Sequence, residues 1–279
     1  MTQIAPLPLG DYAATWRPRV DDLLGEAIGS GEPAVLYEAM RYAALGPGKR
    51  LRPLLVLAAC EACGADPAGA LPAAAAIEMV HAFSLVHDDL PCMDDDDFRR
   101  GRPTCHKAYG EAVALLAGDG LLARALGYLA EQPVTWAAEA VAELAEAVSA
   151  GMIRGQVLDI APGPGTDVEL LHHLKTGRLF VSACALGAIA AGASAEQAAD
   201  VAGYGMYLGL AFQIADDIKD AGEVGRETYV TRFGVAGARQ RCLEALANAE
   251  AVLAGLGPQR ARALAGIAGF VRESVAEDS

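Results

Sequence analysis

The sequence predicts an all-α fold in a single domain, 1–279, and three observations carry that prediction. Apolar residues recur at helical spacing from end to end, Gly or Pro punctuates them at short intervals, and no strand-hairpin pattern competes. Hydrophobic residues make up 53% of the 279 and charged residues 21%, with alanine-rich stretches and little β-branched alternation. That composition favours a packed helical protein over a disordered one. The length is enough to bury a core in which a reactive intermediate stays dry.

Helices are predicted over 11–28, 33–44, 51–63, 71–90, 107–131, 136–158, 168–191 and 196–220, with two more towards the C-terminus. The helix over 71–90 carries a long apolar face of Ile77, Met79, Val80, Phe83, Leu85 and Val86. The one over 168–191 leads into an uncharged run, 179–195, whose 17 residues are rich in Gly, Ala and Ser. That run falls short of the roughly 20 strongly apolar residues of a membrane span, so it reads as a buried core helix. The helix over 196–220 has a face of Tyr207, Leu208, Leu210, Phe212 and Ile214. Connections such as 64–69 and 161–165 are short, and no linker, long repeat or low-complexity segment divides the chain, so one helical bundle is expected.

With 22 basic and 36 acidic residues the formal charge is −14, which repels a nucleic-acid backbone, so any anion must be met locally. Residues 1–10 show no basic segment followed by an apolar core, so no secretory signal is expected and the cytoplasm is the expected compartment. The cysteines at 60, 63, 92, 105, 184 and 242 read as reduced core thiols. Cys60 and Cys63 form a lone CxxC without the second pair or the histidines that zinc needs.

Two acidic clusters each follow one of the long apolar faces. In the second, Asp216-Asp217-Ile218-Lys219-Asp220, Asp216 and Asp220 are four residues apart and face the same way, roughly 6 Å along the axis. Gly222 is the expected C-cap, placing these carboxylates where the helix dipole is already negative and a cation is wanted. In the first, Asp88-Asp89-Leu90-Pro91-Cys92-Met93-Asp94-Asp95-Asp96-Asp97, a continuous helix would turn Asp94 roughly 240° away from Asp88. Pro91 is expected to end or kink the helix and let Asp94 swing back. One acid run alone is as readily a solvated helix end. Two of them at the rim of an apolar interior, offering oxygen ligands with room for water, suit Mg²⁺ bridging to a diphosphate.

Basic groups stand out in so acidic a chain. Gly46-Pro47-Gly48-Lys49-Arg50-Leu51-Arg52-Pro53 concentrates positive charge beside glycines that let backbone approach a ligand. Arg99-Arg100-Gly101-Arg102 follows the first acidic cluster, and Lys175-Thr176-Gly177-Arg178 interrupts an apolar region. For Arg102 and Arg178, neighbouring charge balance is an equally good explanation.

The ordered set GPGKRLRP, VHAFSLVHDDLPCMDDDDFRRGRPTCHKAYGEA, LLAGDGLL, GQVLDI, HLKTG and LGLAFQIADDIKD resembles the trans-polyprenyl diphosphate synthases, particularly bacterial farnesyl diphosphate synthases, from about Leu36 to the C-terminus. The resemblance implies an orthogonal helical bundle of the isoprenoid synthase type with a central apolar cavity, usually a homodimer. It implies that Asp88, Asp89, Asp94, Asp216, Asp217 and Asp220 hold three Mg²⁺ ions, with Mn²⁺ as a substitute, on the diphosphate of an allylic substrate assisted by Arg99 and Lys175. Isopentenyl diphosphate would lie on Gly48, Lys49, Arg52, His81 and Arg100, and Thr176 and Gln213 would face the allylic cation. Phe83 lies five positions before Asp88, roughly 7–8 Å down the helix, where its ring is the expected floor of the product tunnel. An aromatic there, with the two-residue insertion in DDLPCMD, resembles the farnesyl-producing type, so farnesyl diphosphate is the product this resemblance implies, with geranyl or geranylgeranyl diphosphate as the alternatives.

One departure stands out. After Asp220 the family carries a longer loop with a Gly-Lys pair that binds the allylic diphosphate, whereas only four residues, 221–224, precede Gly225-Arg226 here. Whether Arg226 replaces that lysine is open. The connections at Gln132-Pro133 and 161–165 also look short. The rival readings are a class I terpene cyclase, which needs no isopentenyl site, a non-catalytic synthase subunit and a simple divalent-cation binder. The group from Lys49 to Arg52 speaks against the first, and paired aspartates at both clusters against the second.

Overall fold

The computed structural model describes residues 4–161, 163, 167–220 and 228–276. It is an all-α bundle of α1 (Leu9–Ile28), α2 (Ala34–Ala44), α3 (Leu51–Ala62), α4 (Leu71–Asp88), α5 (Cys105–Tyr109), α6 (Glu111–Ala130), α7 (Ala137–Glu146), α8 (Arg154–Ile160), α9 (Val168–His172), α10 (Arg178–Ala191), α11 (Ala195–Lys219), α12 (Tyr229–Val252) and α13 (Arg262–Ala276). α3, α4, α10 and α11 form the centre: α10 packs on both α3 and α11, α4 on α6, and α11 along α12. α4 is apolar on every side because it is buried on most of them, with Ile77, Met79 and Val80 fully inside. Likewise Leu179, Phe180, Ala183, Cys184 and Leu186 put α10 in the core.

The helix starts have local causes. Ser194 accepts a hydrogen bond from the Gln197 N–H at 3.2 Å while the Gln197 side chain accepts from the Ser194 N–H, a reciprocal cap that opens α11. Thr228 and Thr231 do the same for α12. The expected C-cap Gly222, the short segment 221–224 and Arg226 lie outside the described residues.

Four sequence expectations are corrected. The helix expected over 107–131 is broken at Gly110, whose φ of 84° divides α5 from α6. The helix over 136–158 contains a wide π-helical turn, Ala147–Ile153, and that over 168–191 another, His173–Gly177. The inserted residue in such a turn shifts every later side chain round the axis without an interruption that apolar spacing would reveal. Finally, a short hairpin does exist: β1 (Phe98–Arg99) pairs with β2 (Arg102–Pro103) around Arg100 and Gly101, both with positive φ.

The segments Pro67–Asp88, Glu111–Ala130 and Glu169–Ala191 are long and apolar enough to cross a membrane. Of the 18-residue apolar stretch within the first, 72% is buried inside the bundle, so core packing accounts for its composition. All six cysteines are free, and only Cys92 is exposed.

Candidate active site

α4 ends at Asp88, and beyond it the chain folds back as the proline predicts. The Asp94 N–H donates to the Asp88 carbonyl at 2.9 Å, and the N–H groups of Met93 and Asp95 both reach the Leu90 carbonyl. Asp94 thus returns beside Asp88 by a change of backbone path.

A cavity of about 440 Å³ opens below Asp88, within the range of small-molecule sites. Its wall brings together Arg52, His81, Phe83, Asp88, Lys175 and Thr176, and the rest is mostly apolar, from Leu122, Met152, Val157 and Leu179. Phe83 packs edge-on to His87 with ring centres 4.9 Å apart, a fixed aromatic wall one turn below the aspartates. Lys175 and Thr176 reach the cavity from the second π-helical turn. They are carried there by a close approach at Gly155, where any Cβ would sit 2.4 Å from the Lys175 nitrogen. That approach lets Asp159 of α8 accept a salt-bridged hydrogen bond from Lys175 Nζ at 2.5 Å.

The Asp88 carboxylate has no hydrogen bond or ion pair among the described residues. Burial, with Asp94 and Asp89 adding like charge, pushes its carboxyl up to about 6 against the pull of Lys175. Asp216 is likewise pushed up to about 6, by burial and then by Asp220, while Lys219 at 3.8 Å, Lys49 and Arg52 pull the other way. These carboxylates fit a divalent cation, because burial and like-charged neighbours outweigh the basic groups around them and leave their charge only partly compensated. No three acidic, His or Cys side chains gather into a cage among the described residues, so an ion here would share its ligands with a phosphate. Two cluster members are engaged otherwise: Asp89 accepts from Arg99 at 2.5 Å, and Asp217 is buried on Gln213 and Tyr229. Asp220 is exposed at the end of α11.

The basic residues form a second group. Arg52 is half-buried, and desolvation pulls its guanidinium down to about 10; it donates to His81 Nε2 at 3.2 Å. Because Arg is always the donor, His81 accepts there as a neutral imidazole, and burial and then Arg52 hold it well below its ordinary value. Arg100 crosses Gly48, where a Cβ would stand 2.6 Å from its Nη1, and donates to the Pro47 carbonyl at 2.9 Å. Lys49 lies over the Phe270 ring at 4.6 Å. Arg52 unites the two halves of the site, since it lines the cavity with Asp88 and its charge is felt by Asp216. Gln213 lines a second cavity of about 330 Å³ between α9, α11 and α12, whose wall includes Gly177, the residue after Thr176. Arg178 pairs with Glu143, as the charge-balance reading expects, whereas Arg102 stacks on the Tyr42 ring.

Three residues at the site carried no role in the sequence reading. Glu78 lies beneath the arginines, 4% exposed, accepting from Arg50 at 3.1 Å. Asp159 holds Lys175. Gln156 lines the cavity with both amide atoms buried and unpartnered, a cost that a bound ligand or water offsets. Gln156 and Asp159 lie in GQVLDI, so the motif was visible and their roles were not. Asp159→Asn is expected to lower turnover by about tenfold by loosening Lys175, with an unchanged circular dichroism spectrum. Steady-state rates equal to the parent's would remove the salt bridge from the mechanism.

Comparison with known proteins agrees with this geometry. Residues 33–228 match the polyprenyl synthetase family. The chain is 39% identical over 278 residues to geranylgeranyl pyrophosphate synthase 7, chloroplastic, of Arabidopsis thaliana, covering 90% of this chain and 80% of that protein. It is 38% identical over 276 residues to the chloroplastic geranylgeranyl pyrophosphate synthase of Catharanthus roseus, covering 90% and 77%. The crystal structure of an FPP/GFPP synthase from Zymomonas mobilis superposes with a TM-score of 0.88 at 39% identity, over 94% of this chain and 98% of that one. A fold, a site and relatives that agree to this extent establish that the chain belongs to the polyprenyl synthetase family and is a head-to-tail prenyltransferase.

Proposed function

We propose that this prenyltransferase condenses isopentenyl diphosphate with allylic diphosphates in a Mg²⁺-dependent reaction and carries elongation to the twenty-carbon geranylgeranyl diphosphate. The observation that carries the reading is the cavity itself, with a half-buried aspartate of raised pKa at its mouth, a basic group beside it and an apolar shaft below. The geranylgeranyl product rests on the relatives of that name and replaces the farnesyl product expected from Phe83. Farnesyl diphosphate is kept as the second reading because Phe83 is only 7% exposed and lines the shaft, and the FPP/GFPP synthase is as similar in sequence as the plant enzymes.

Asp88 and Asp94 on one side, with Asp216 and Asp220 on the other, would hold the ions. Bound there, Mg²⁺ supplies neutralisation of the charge that develops on departing diphosphate. The chain's own residues do the rest. Lys175 places a positive charge beside Asp88 at the mouth, where it meets the leaving group. Arg52, Arg100 and Lys49 hold the second diphosphate so that the isopentenyl double bond faces the allylic carbon, and neutral His81 keeps Arg52 in place. The apolar shaft excludes water from the allylic cation until the new bond forms and a proton leaves, for which released diphosphate is the nearest base. A homodimer is part of this proposal, and Leu115 and Leu116, 46% and 58% exposed on α6, are an apolar face for it.

The test is one assay with Mg²⁺, isopentenyl diphosphate and each allylic primer, with products sized by chromatography. No elongation from any primer would sink the reading. Phe83→Ala is expected to lengthen the main product by at least one five-carbon unit, and an unchanged length distribution would take Phe83 out of chain-length control.

A further inference from the structure

Asp217 belongs by sequence to the second acidic cluster, yet it is 7% exposed and both of its carboxylate oxygens are engaged inside the protein. Oδ1 accepts from Gln213 Nε2 at 2.8 Å, one turn back on α11. Oδ2 accepts from the backbone N–H of Tyr229, also at 2.8 Å, the first residue of α12. Its neighbour Asp216 has a side chain 42% exposed and, among the described residues, only Lys219 at 3.8 Å as an ion-pair partner. Consecutive helix residues stand about 100° apart, so one can enter the bundle while the other stays at the rim.

We propose that Asp217 is a positioning residue and not an ion ligand: a two-pronged clamp that fixes the sense of the Gln213 carboxamide and ties the start of α12 to the last turn of α11. A carboxylate only accepts, so Gln213 must turn its NH₂ end towards it. The Oε1 end is then the one left for a ligand, and an acceptor oxygen suits an electron-poor carbon. Without the clamp the amide presents either end. The second prong satisfies one of the first-turn N–H groups of α12 and sets a negative charge at that helix's positive end. The Tyr229 ring packs on His172 with centres 5.5 Å apart, so the clamp joins α9, α11 and α12 around the second cavity. Its catalytic consequence rests on the prenyl-transfer reading, whereas the clamp itself does not.

The experiment compares Asp217→Asn with Asp216→Asn. Thermal melts record the upward shift produced by Mg²⁺ with inorganic diphosphate, and elongation kinetics record Mg²⁺ half-saturation, kcat and KM. In Asp217→Asn, Gln213 can rotate its Oε1 onto the new NH₂, which preserves packing but inverts the amide. That variant is expected to keep the melting shift and to keep Mg²⁺ half-saturation within about twofold, while kcat falls about tenfold with little change in KM. Asp216→Asn is expected to lose the shift. Adding Gln213→Glu to Asp217→Asn restores an outward acceptor and is expected to recover part of kcat. Loss of the melting shift in Asp217→Asn, or a kcat equal to the parent's, overturns the proposal. Should Asp217→Asn not fold, Tyr229→Pro against Tyr229→Ala decides: proline is tolerated at the first helical position and removes only the N–H in question. A lower melting temperature for the proline variant supports the clamp, and equal melting overturns it. If the parent protein elongates no primer, the prenyl-transfer reading fails while the melts still decide the clamp.

Discussion

Asp88→Asn is expected to lower kcat/KM for elongation by about 10²- to 10³-fold, while the metal-free protein melts at the same or a higher temperature. The two effects have one cause. Burial and the neighbouring Asp94 and Asp89 charges make ionised Asp88 costly to the folded chain, which is why its carboxyl lies at about 6. That unrelieved charge is also what a cation would be bound by. Asparagine keeps the shape and removes the charge, so it relieves the fold and disables the site, the usual exchange between stability and activity. Melting curves in chelator and product sizing with Mg²⁺ check both halves. A variant that loses activity because it melts far lower would show that Asp88 is a structural carboxylate instead.

Glu78→Ala is expected to destabilise the protein by about 3 kcal/mol, because it removes the buried one of the two carboxylates that pair with the Arg50 guanidinium. For a chain of this size that corresponds to a fall in Tm of roughly 10 °C. Arg50 is 4% exposed and spreads its donors over Asp21 at 2.6 Å, Glu78 at 3.1 Å and the Gly46 carbonyl at 3.0 Å, holding α1, α4 and the glycine loop together. Glu78 also feels Arg52 and Arg100, so it offsets the mutual repulsion of the arginines that would grip isopentenyl diphosphate. Burial raises its carboxyl, and Arg50 and Arg52 counter that rise. Chemical denaturation measures the stability, and the double variant Arg50→Met, Glu78→Leu separates the roles. Replacing both charges at once is expected to recover most of the lost stability while KM for isopentenyl diphosphate stays raised. Recovery of both would leave the network with a folding role only.

The limits of the sequence reading follow from what spacing encodes. Pro91 announces the end of α4, because a missing N–H and a restricted preceding residue are properties of proline itself. The apolar faces of α4 and α11 are legible for the same reason, since burial imposes helical periodicity. The π-helical turns are invisible, because one added residue in a turn leaves alanine and glycine where a regular helix would also have them. Arg99-Arg100-Gly101-Arg102 reads as a charge run, yet the positive φ of Arg100 and Gly101 makes it a hairpin turn. Most telling are Asp89 and Asp217. Spacing places them in acidic clusters, but their actual partners, Arg99 and the Tyr229 N–H, lie 10 and 12 residues on, and no periodicity reports them. Glu78 is an isolated acid in the middle of an apolar helix, and its tie to Arg50 spans 28 residues.

Arg50, Asp95 and Arg100 are the three described non-glycine residues with positive φ, and all three flank the site. Each holds its side chain at a backbone cost of about 1 kcal/mol that glycine would escape. At Asp95 and Arg100 a search for thermostable variants guided by stability alone would therefore drift towards glycine, trimming the acidic turn and the basic group as it improved the melting temperature, whereas at Arg50 the loss of the buried pair with Glu78 outweighs that gain. In laboratory evolution of this enzyme, heat selection and turnover selection pull against each other along this loop, and the first gains in robustness would be taken from the diphosphate grip.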